Sequence, residues 1–369
     1  MNPQGRFCPN LACSARGQVG QGNIRVHSLK DRRYRCTRCN QTFSETSGTA
    51  RYGIKKPHQD FVRVVTLLGH GCPVQAIVAA FEIDERTVAD WQRRAGEHCQ
   101  VVHKHVVGES KLDLGQVQAD DIKVKTQAGV VWMALAIMVS TRLWLGGAVS
   151  ATRDKTLLAI LVAQVVQVAL CRPIVWAVDG LIAYVGVIQR AFRTPLRTGQ
   201  RGAPRKIAWP NIGIVQVIKR RTAGQLQIER RVAQGDPTLV QAVIDTSQGS
   251  RGGINTASIE RLNATFRQCL ACLGRRSRAL ARTLPTREQG MFLVGCLYNF
   301  CTPHDRLPLY IGRYGHRRWV HRTSAIAAGL TDPIWSVDEL LTFKVPPPPF
   351  VPPKRRGRPP KPRLLEAAA

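Results

Sequence analysis

The chain has 369 residues, with 54 Lys and Arg against 24 Asp and Glu, giving a formal net charge of +30 and a 44% hydrophobic fraction. Such a length allows two or three domains with at least one full core, and the apolar content is that of a folded protein. So cationic a balance favours a polyanionic partner, nucleic acid first, over acidic substrates or neutral surfaces.

Residues 1–56 are rich in Cys, Gly and Arg. The opening MNPQGRFCPN has no apolar run and is not expected to act as a secretory signal. Cys8 and Cys13 form a C-x4-C pair, and Cys36 and Cys39 a C-x2-C pair within RYRCTRCNQTF. Four thiolates in two close pairs suit a tetrahedral structural Zn²⁺, and a small segment of this composition gains most of its folding energy from such an ion. Seven further cysteines have no such double pairing and are expected as ordinary thiols, mostly in the core. The odd total of 11, scattered along the chain, argues against a disulfide framework and for a reducing cytoplasm.

Residues 57–105 show helical periodicity. A first helix is expected to end near Gly69-His70-Gly71, and a second carries Val74, Ile77, Val78 and Phe81. A third, N-capped by Asp84, turns Val88, Trp91 and Ala95 inward and leaves Arg86, Arg93 and Arg94 outward. This is a helix-turn-helix pattern whose last helix would enter a DNA major groove.

From 112 to 305 strand-like and helix-like stretches alternate, as in a mixed α/β domain. LGQVQADD (114–121), GVVWMALAIMVST (129–141) and LWLGGAVSA (143–151) read as three strands, and residues 154–170 as a helix. The apolar run LLAILVAQVVQVALC (157–171) inside that helix is too short to span a bilayer and contains Gln164 and Gln167, so no membrane partner is expected. RPIVWAVDG (172–180) is a buried strand ending in Asp179, a helix covers roughly 181–192, and NIGIVQVIKRR (211–221) is a further strand. Residues of about 193–235 are unusually basic, with Glu229 the single acid, and read as an insertion that grips DNA. Another helix starts near 237, and NTASIERLNATFRQCL (255–270) forms the next. The order β-β-β-α-β-α-β…α is that of an RNase H-like fold, a mixed sheet flanked by helices. Its first and fourth strands are neighbours, which brings Asp120 and Asp179 together. With Glu260 from the later helix they would hold two divalent cations, Mg²⁺ or Mn²⁺, for in-line phosphoryl transfer. An Asp at a strand end before Gly is also a common turn residue, and an isolated Glu among cations a common surface ion pair.

Residues 306–369 read as a basic, proline-rich tail. Its run VPPPPFVPPKRRGRPPKPR (345–363) is expected to be extended and unpacked. At its centre Arg355, Arg356 and Arg358 flank Gly and Pro, as in an AT-hook entering the minor groove of A·T-rich DNA.

This succession resembles insertion-sequence transposases of the DDE type, nearest to the IS-one type and its unclassified relatives, over about residues 6–305. The pieces that carry it are RYRCTRCNQTFSETSGT, the helix-turn-helix, WAVDG, and above all NTASIERLNATFRQCL with RRSRAL (275–280) after it. The resemblance implies a zinc ribbon, a DNA-binding helix-turn-helix and an RNase H-like catalytic domain with Asp120, Asp179 and Glu260 as its acids. Asp121 stays a rival for Asp120, because ADDIKVK departs from the family's usual Asp-Glu-aromatic order. Arg261, Asn263 and Arg267 would hold the DNA strand. The expected partners are the element's terminal inverted repeats, target DNA and further copies of the chain, in a bacterial or archaeal cytoplasm at the nucleoid.

Overall fold

The computed structural model describes residues 1–352 apart from 127–128, 200, 223–224, 250–251, 274–282 and 315–316. Arg355, Arg356, Arg358 and RRSRAL therefore lie outside the described residues. The chain divides into two compact units: Met1–Gly48 together with the segment from Lys344, and Thr49–Phe343.

The first unit is built on three short antiparallel strands, β1 (Ile24–Ser28), β2 (Arg33–Cys36) and β3 (Thr42–Ser44). Its small core contains Tyr34, Phe43 and Ile24 beside Cys8, Cys13 and Cys36. The proline-rich segment is not unpacked at its start. Arg16 donates to the carbonyls of Pro348 (2.7 Å) and Pro349 (2.8 Å), and its guanidinium lies 5.5 Å from the Phe350 ring. Prolines leave their carbonyls free for such donors because they cannot form strand ladders. Gly17 permits the approach: its φ is +70°, and a Cβ there would stand 2.6 Å from the Pro347 carbonyl oxygen.

The second unit begins with three helices, α1 (His58–Gly69), α2 (Val74–Phe81) and α3 (Glu85–His103). Asp84 caps α3 by accepting the Arg86 N–H, and Val88, Trp91 and Ala95 are buried. These helices do not form a unit of their own. Gly96 of α3 leaves room for the backbone of the later helix α8 (Leu284–Cys296): a Cβ there would meet the Gln289 carbonyl at 2.5 Å. The division expected between 105 and 112 is thus closed by helix packing.

Next come β4 (Gln116–Thr126), β5 (Gly129–Met138), β6 (Trp144–Ser150), α4 (Lys155–Val168), β7 (Ile174–Asp179) and α5 (Ile182–Ala191). A short hairpin of β8 (Arg193–Pro195) and β9 (Lys206–Ala208) leads to β10 (Ile212–Thr222) and β11 (Gln225–Gln234). Then follow α6 (Pro237–Gln248) and α7 (Ala257–Cys269). The sheet has six strands in the order β11-β10-β7-β4-β5-β6. β4 runs parallel to β7 and β7 to β10, whereas β4–β5, β5–β6 and β10–β11 are antiparallel. The basic segment 193–235 is therefore only partly an insertion, since β10 and β11 are strands of the main sheet. Alternation along β7 sorts the layers. Trp176 meets Phe192 at the end of α5 on one face, and Val175 and Ala177 meet Val240 and Ile244 of α6 on the other. The apolar α4 buries Leu157, Leu158, Leu161, Val162, Val165 and Val168 within the fold, and among the described residues no helix is long and apolar enough to cross a membrane.

The tail expected from residue 306 is folded as far as Phe343. β12 (His304–Tyr314) and β13 (Arg317–Arg322) pair as a hairpin, followed by α9 (Ser324–Ala327) and α10 (Val337–Thr342). Leu340 and Leu341 are fully buried, and Trp335 stacks between Phe300 and Phe343 at 4.9 and 4.8 Å. Apolar side chains spaced among the basic residues provide this anchorage.

Candidate functional site

Two clusters of metal-ligand type occur among the described residues. In the first unit, Cys8, Cys13, Cys36 and Cys39 bring their sulfurs within 4.8 Å of one another. Cys8–Cys39 and Cys13–Cys36 are 3.7 and 3.9 Å apart. A tetrahedral Zn²⁺ with Zn–S bonds of about 2.3 Å has S···S edges of about 3.8 Å, so the spacing fits the ion. The N–H groups of Asn10, Ala15 and Gln41, each two residues beyond a cysteine, donate to Cys8, Cys13 and Cys39 and favour their thiolates. Burial pushes the Cys8 and Cys13 thiols up. It also works against Cys39, but the Gln41 N–H and the Asn10 side chain outweigh it and hold that thiol down to about 7. Of the remaining cysteines, Cys99 and Cys296 are buried, as expected of core thiols, whereas Cys171 is exposed.

The second cluster lies in the larger unit. Carboxylate oxygens of Asp120, Asp121 and Asp179 lie within 4.8 Å of one another. The parallel pairing of Gln118 with Ala177 sets β4 and β7 side by side, so that Asp120 and Asp179, each two residues further on, come level at the end of β7. The acids of β4 stand mid-strand, because β4 continues in its ladder with β5 to Thr126. A cleft of about 510 Å³ is lined by Asp120, Asp179 and Glu260 together with Arg153, Lys219 and Thr256. Asp121 is not part of its lining. Successive residues of a strand point to opposite faces. Asp120 thus shares the face of Gln118, toward α7, while Asp121 is turned toward Arg153, whose Nε and Nη2 grip it at 2.5 and 2.7 Å. Glu260 lines the cleft without joining the tight cluster of aspartates.

Helix α7 is tied to β4 at two points. The Gln118 side chain accepts the Ser258 and Ile259 N–H groups at 2.9 and 3.0 Å, satisfying free donors of the helix N-terminus, and itself donates to the Asn255 carbonyl. Seven positions into the helix, Asn263 donates to Asp120 at 2.9 Å. Glu260 lies between these ties. Asn263 is 2% exposed, so it is a positioning residue for Asp120 and not the DNA contact expected from sequence. Arg261 points away from the cleft into a second cavity, and Arg267 is half-buried outside both.

Each acid except Asp120 is met by a cation. Arg153 bridges Asp121 and Asp179, the latter at 2.8 Å, and Lys219 holds Glu260 at 2.5 Å. Asp179 also accepts the Leu181 N–H at 3.0 Å, so it serves as the turn residue at the entrance to α5 as well. Burial, and then the charges of Asp121, Asp179 and Glu260, pushes Asp120 up to about 6. Burial also raises Asp121, against the pull of Arg153. Burial acts the same way on Glu260, but Lys219 and Thr256 prevail and hold it below the usual carboxylate range. Hard oxygen donors of this kind suit Mg²⁺ or Mn²⁺, and an unpaired carboxylate beside others gains from such an ion. Gln118, Arg153 and Lys219 were not singled out from the sequence. Lys219 stands two residues beyond Val217, the register partner of Asp179, a placement recoverable only once the strand pairing is known.

In the helical region, Arg86 is exposed, but Arg93 pairs with Asp90 and Glu97 at 2.6 and 2.8 Å, and Arg94 pairs with Asp90 at 2.6 Å. The outward arginines of α3 are therefore partly neutralised by acids of the same helix.

No protein-family model and no curated protein matches this sequence.

Proposed function

We propose that the chain is a DDE-type transposase that binds the terminal repeats of its own element and catalyses metal-dependent strand cleavage and strand transfer. The observation that carries this reading is the convergence of Asp120, Asp179 and Glu260, from β4, β7 and α7, on one open cleft in a cationic protein. The strand order, with three antiparallel strands extended by parallel neighbours, agrees with an RNase H-like domain and supports it. Divalent ions held by these carboxylates would neutralise charge on the attacking and leaving oxygens of the phosphodiester. The chain's own groups supply the rest. Asn263 fixes Asp120, Gln118 fixes the start of α7, and Arg153 and Lys219 hold the remaining acids in place. For Asp179 and Glu260 to act as ligands, Arg153 and Lys219 must release them, and both cations are then available to phosphate oxygens. The cysteine cluster would hold a structural Zn²⁺, and α3 would contact duplex DNA. Two ends are brought together by a dimer or larger assembly.

The Arg153 and Lys219 ion pairs also favour a second reading, a DNA-binding regulator whose acids are permanently neutralised. Incubation with Mn²⁺ and duplexes containing the DNA that flanks the chain's coding region separates the possibilities. Cleaved and joined products are expected; cleavage without joining would indicate a nuclease, and binding without either would favour the regulator.

A further inference from the structure

Across α7 from the acidic cleft lies a second cavity, of about 670 Å³, whose mostly polar lining includes three arginines. Three arginines reach it from three elements: Arg142 from the turn between β5 and β6, Arg261 from α7 and Arg306 from β12. Arg142 occupies the left-handed region at φ +58°, a conformation that costs a non-glycine residue energy and is kept only where the surroundings enforce it. Its half-buried guanidinium donates to the Ser258 hydroxyl, and its carbonyl accepts from Ser324 at 3.0 Å. Among the described residues none of the three arginines pairs with a carboxylate. Asp305 at the rim has a side chain 96% exposed and turns toward His321. Burial, with the repulsion of Arg306 and Arg261, pushes Arg142 down from its ordinary value. Arg142 is half-buried and Arg261 and Arg306 are exposed, so like charges meet at one cavity, and a bound anion would offset their repulsion and the burial of Arg142. Tyr298 and His304 add neutral polar groups to the same wall, and burial pushes the Tyr298 hydroxyl up to about 12, so it stays a donor.

We propose that Arg142, Arg261 and Arg306 form a phosphate-binding pocket that anchors a backbone phosphate of the DNA strand running to the acidic cleft. The inference rests on the transposase reading for its ligand, and the helix geometry supplies the connection. Glu260 and Arg261 are successive residues of α7, about 100° apart around the helix, so one helix separates the two sites. A strand crossing α7 places one phosphate on each side of it. Guanidinium groups suit this role because their forked donors match phosphate oxygens.

The test uses the full-length, zinc-loaded chain with no added Mg²⁺ or Mn²⁺, so that no cleavage is required. Inorganic phosphate is added against chloride at equal ionic strength, and binding of a labelled single-stranded and a duplex oligonucleotide is followed across salt concentrations. The variants are Arg142→Gln and, because Arg142 sits in a constrained turn, separately the exposed Arg306→Gln. Phosphate is expected to raise the wild-type melting temperature and to have little effect on either variant. Each variant should bind oligonucleotide more weakly and, on the duplex, lose about 0.9 from the slope of log affinity against log salt, the share of one phosphate. Phosphate stabilisation with unchanged oligonucleotide binding in Arg306→Gln would mean a site for a free anion and overturn the strand anchor. Absence of any phosphate effect, with unchanged oligonucleotide binding, would overturn the pocket itself. If the wild type binds no oligonucleotide, the transposase reading fails, while the phosphate arm still reports on the pocket.

Discussion

Asp120 and Glu260 occupy opposite electrostatic situations in one cleft. Glu260 is held charged by Lys219, which is the ordinary ion pair that a lone acid in a basic segment suggests, whereas Asp120 has Asn263 as neighbour and, among the described residues, no paired cation. The sign of the pH effect follows. An Asp with a folded pKa near 6 and an ordinary value of 3.8 binds more protons folded than unfolded, so its contribution is fully present below pH 3.8 and lost as pH rises through 6. Asp120→Asn should therefore raise the stability of the metal-free protein at pH 7.5 by up to about 3 kcal/mol. The gain should vanish near pH 4 and be accompanied by loss of cleavage. Thermal unfolding of both proteins across pH checks this; a variant less stable at pH 7.5 would mean that the Asn263 contact outweighs the repulsion. The sequence displayed both Asp120 and Asp121 but could not choose between them. Strand alternation relative to α7 puts Asp120, and not Asp121, on the lining of the cleft, and seeing that requires knowing which face α7 covers.

Helix α7 shows how an element positions a site. Its motif was legible in sequence, and so was its role in presenting Glu260 on one side and Arg261 on the other. The tether that orients it was not legible, because Gln118 is 140 residues distant from Ser258 and reads as any polar residue in a strand. Gln118→Ala leaves the Ser258 and Ile259 N–H groups buried without partners, at about 1–3 kcal/mol each. Urea unfolding should show a loss of about 2–6 kcal/mol, with cleavage falling more steeply than DNA binding. Loss of binding in step with cleavage would mean that α7 is disordered and not merely mis-set. The four-cysteine cluster was readable from C-x4-C and C-x2-C alone, and the wider first pair still places all four sulfurs together. One zinc per chain is expected by elemental analysis, with Cys36→Ser losing both the metal and the fold of residues 1–48. A folded, metal-free first unit would contradict that role.

For the molecule as a whole, composition favours a polyanionic partner, but it conceals where the folded regions begin and end. The helices of residues 58–103 and the stretch 304–343 read as separate from the sheet, since periodicity reveals a buried face without revealing what covers it. Gly96 on α3 packs on α8, and the Phe300–Trp335 stack ties the later stretch to the residues that follow α8. A net charge of +30 spread over this body predicts steep loss of DNA affinity with salt. Because Arg93 and Arg94 already pair with acids, changing both to Ala should weaken terminal-repeat binding only severalfold, and more than binding to random duplex. Equal losses on the two DNAs would remove α3 as the reading helix. The central claim concerns chemistry, and it is tested most directly by Glu260→Gln, which keeps the side chain's size and removes its charge. End-DNA binding and Mn²⁺-dependent cleavage are measured together on the same preparation. Binding is expected at or above the wild-type level with cleavage and joining abolished; a variant that still cuts and joins at the wild-type rate would contradict the account.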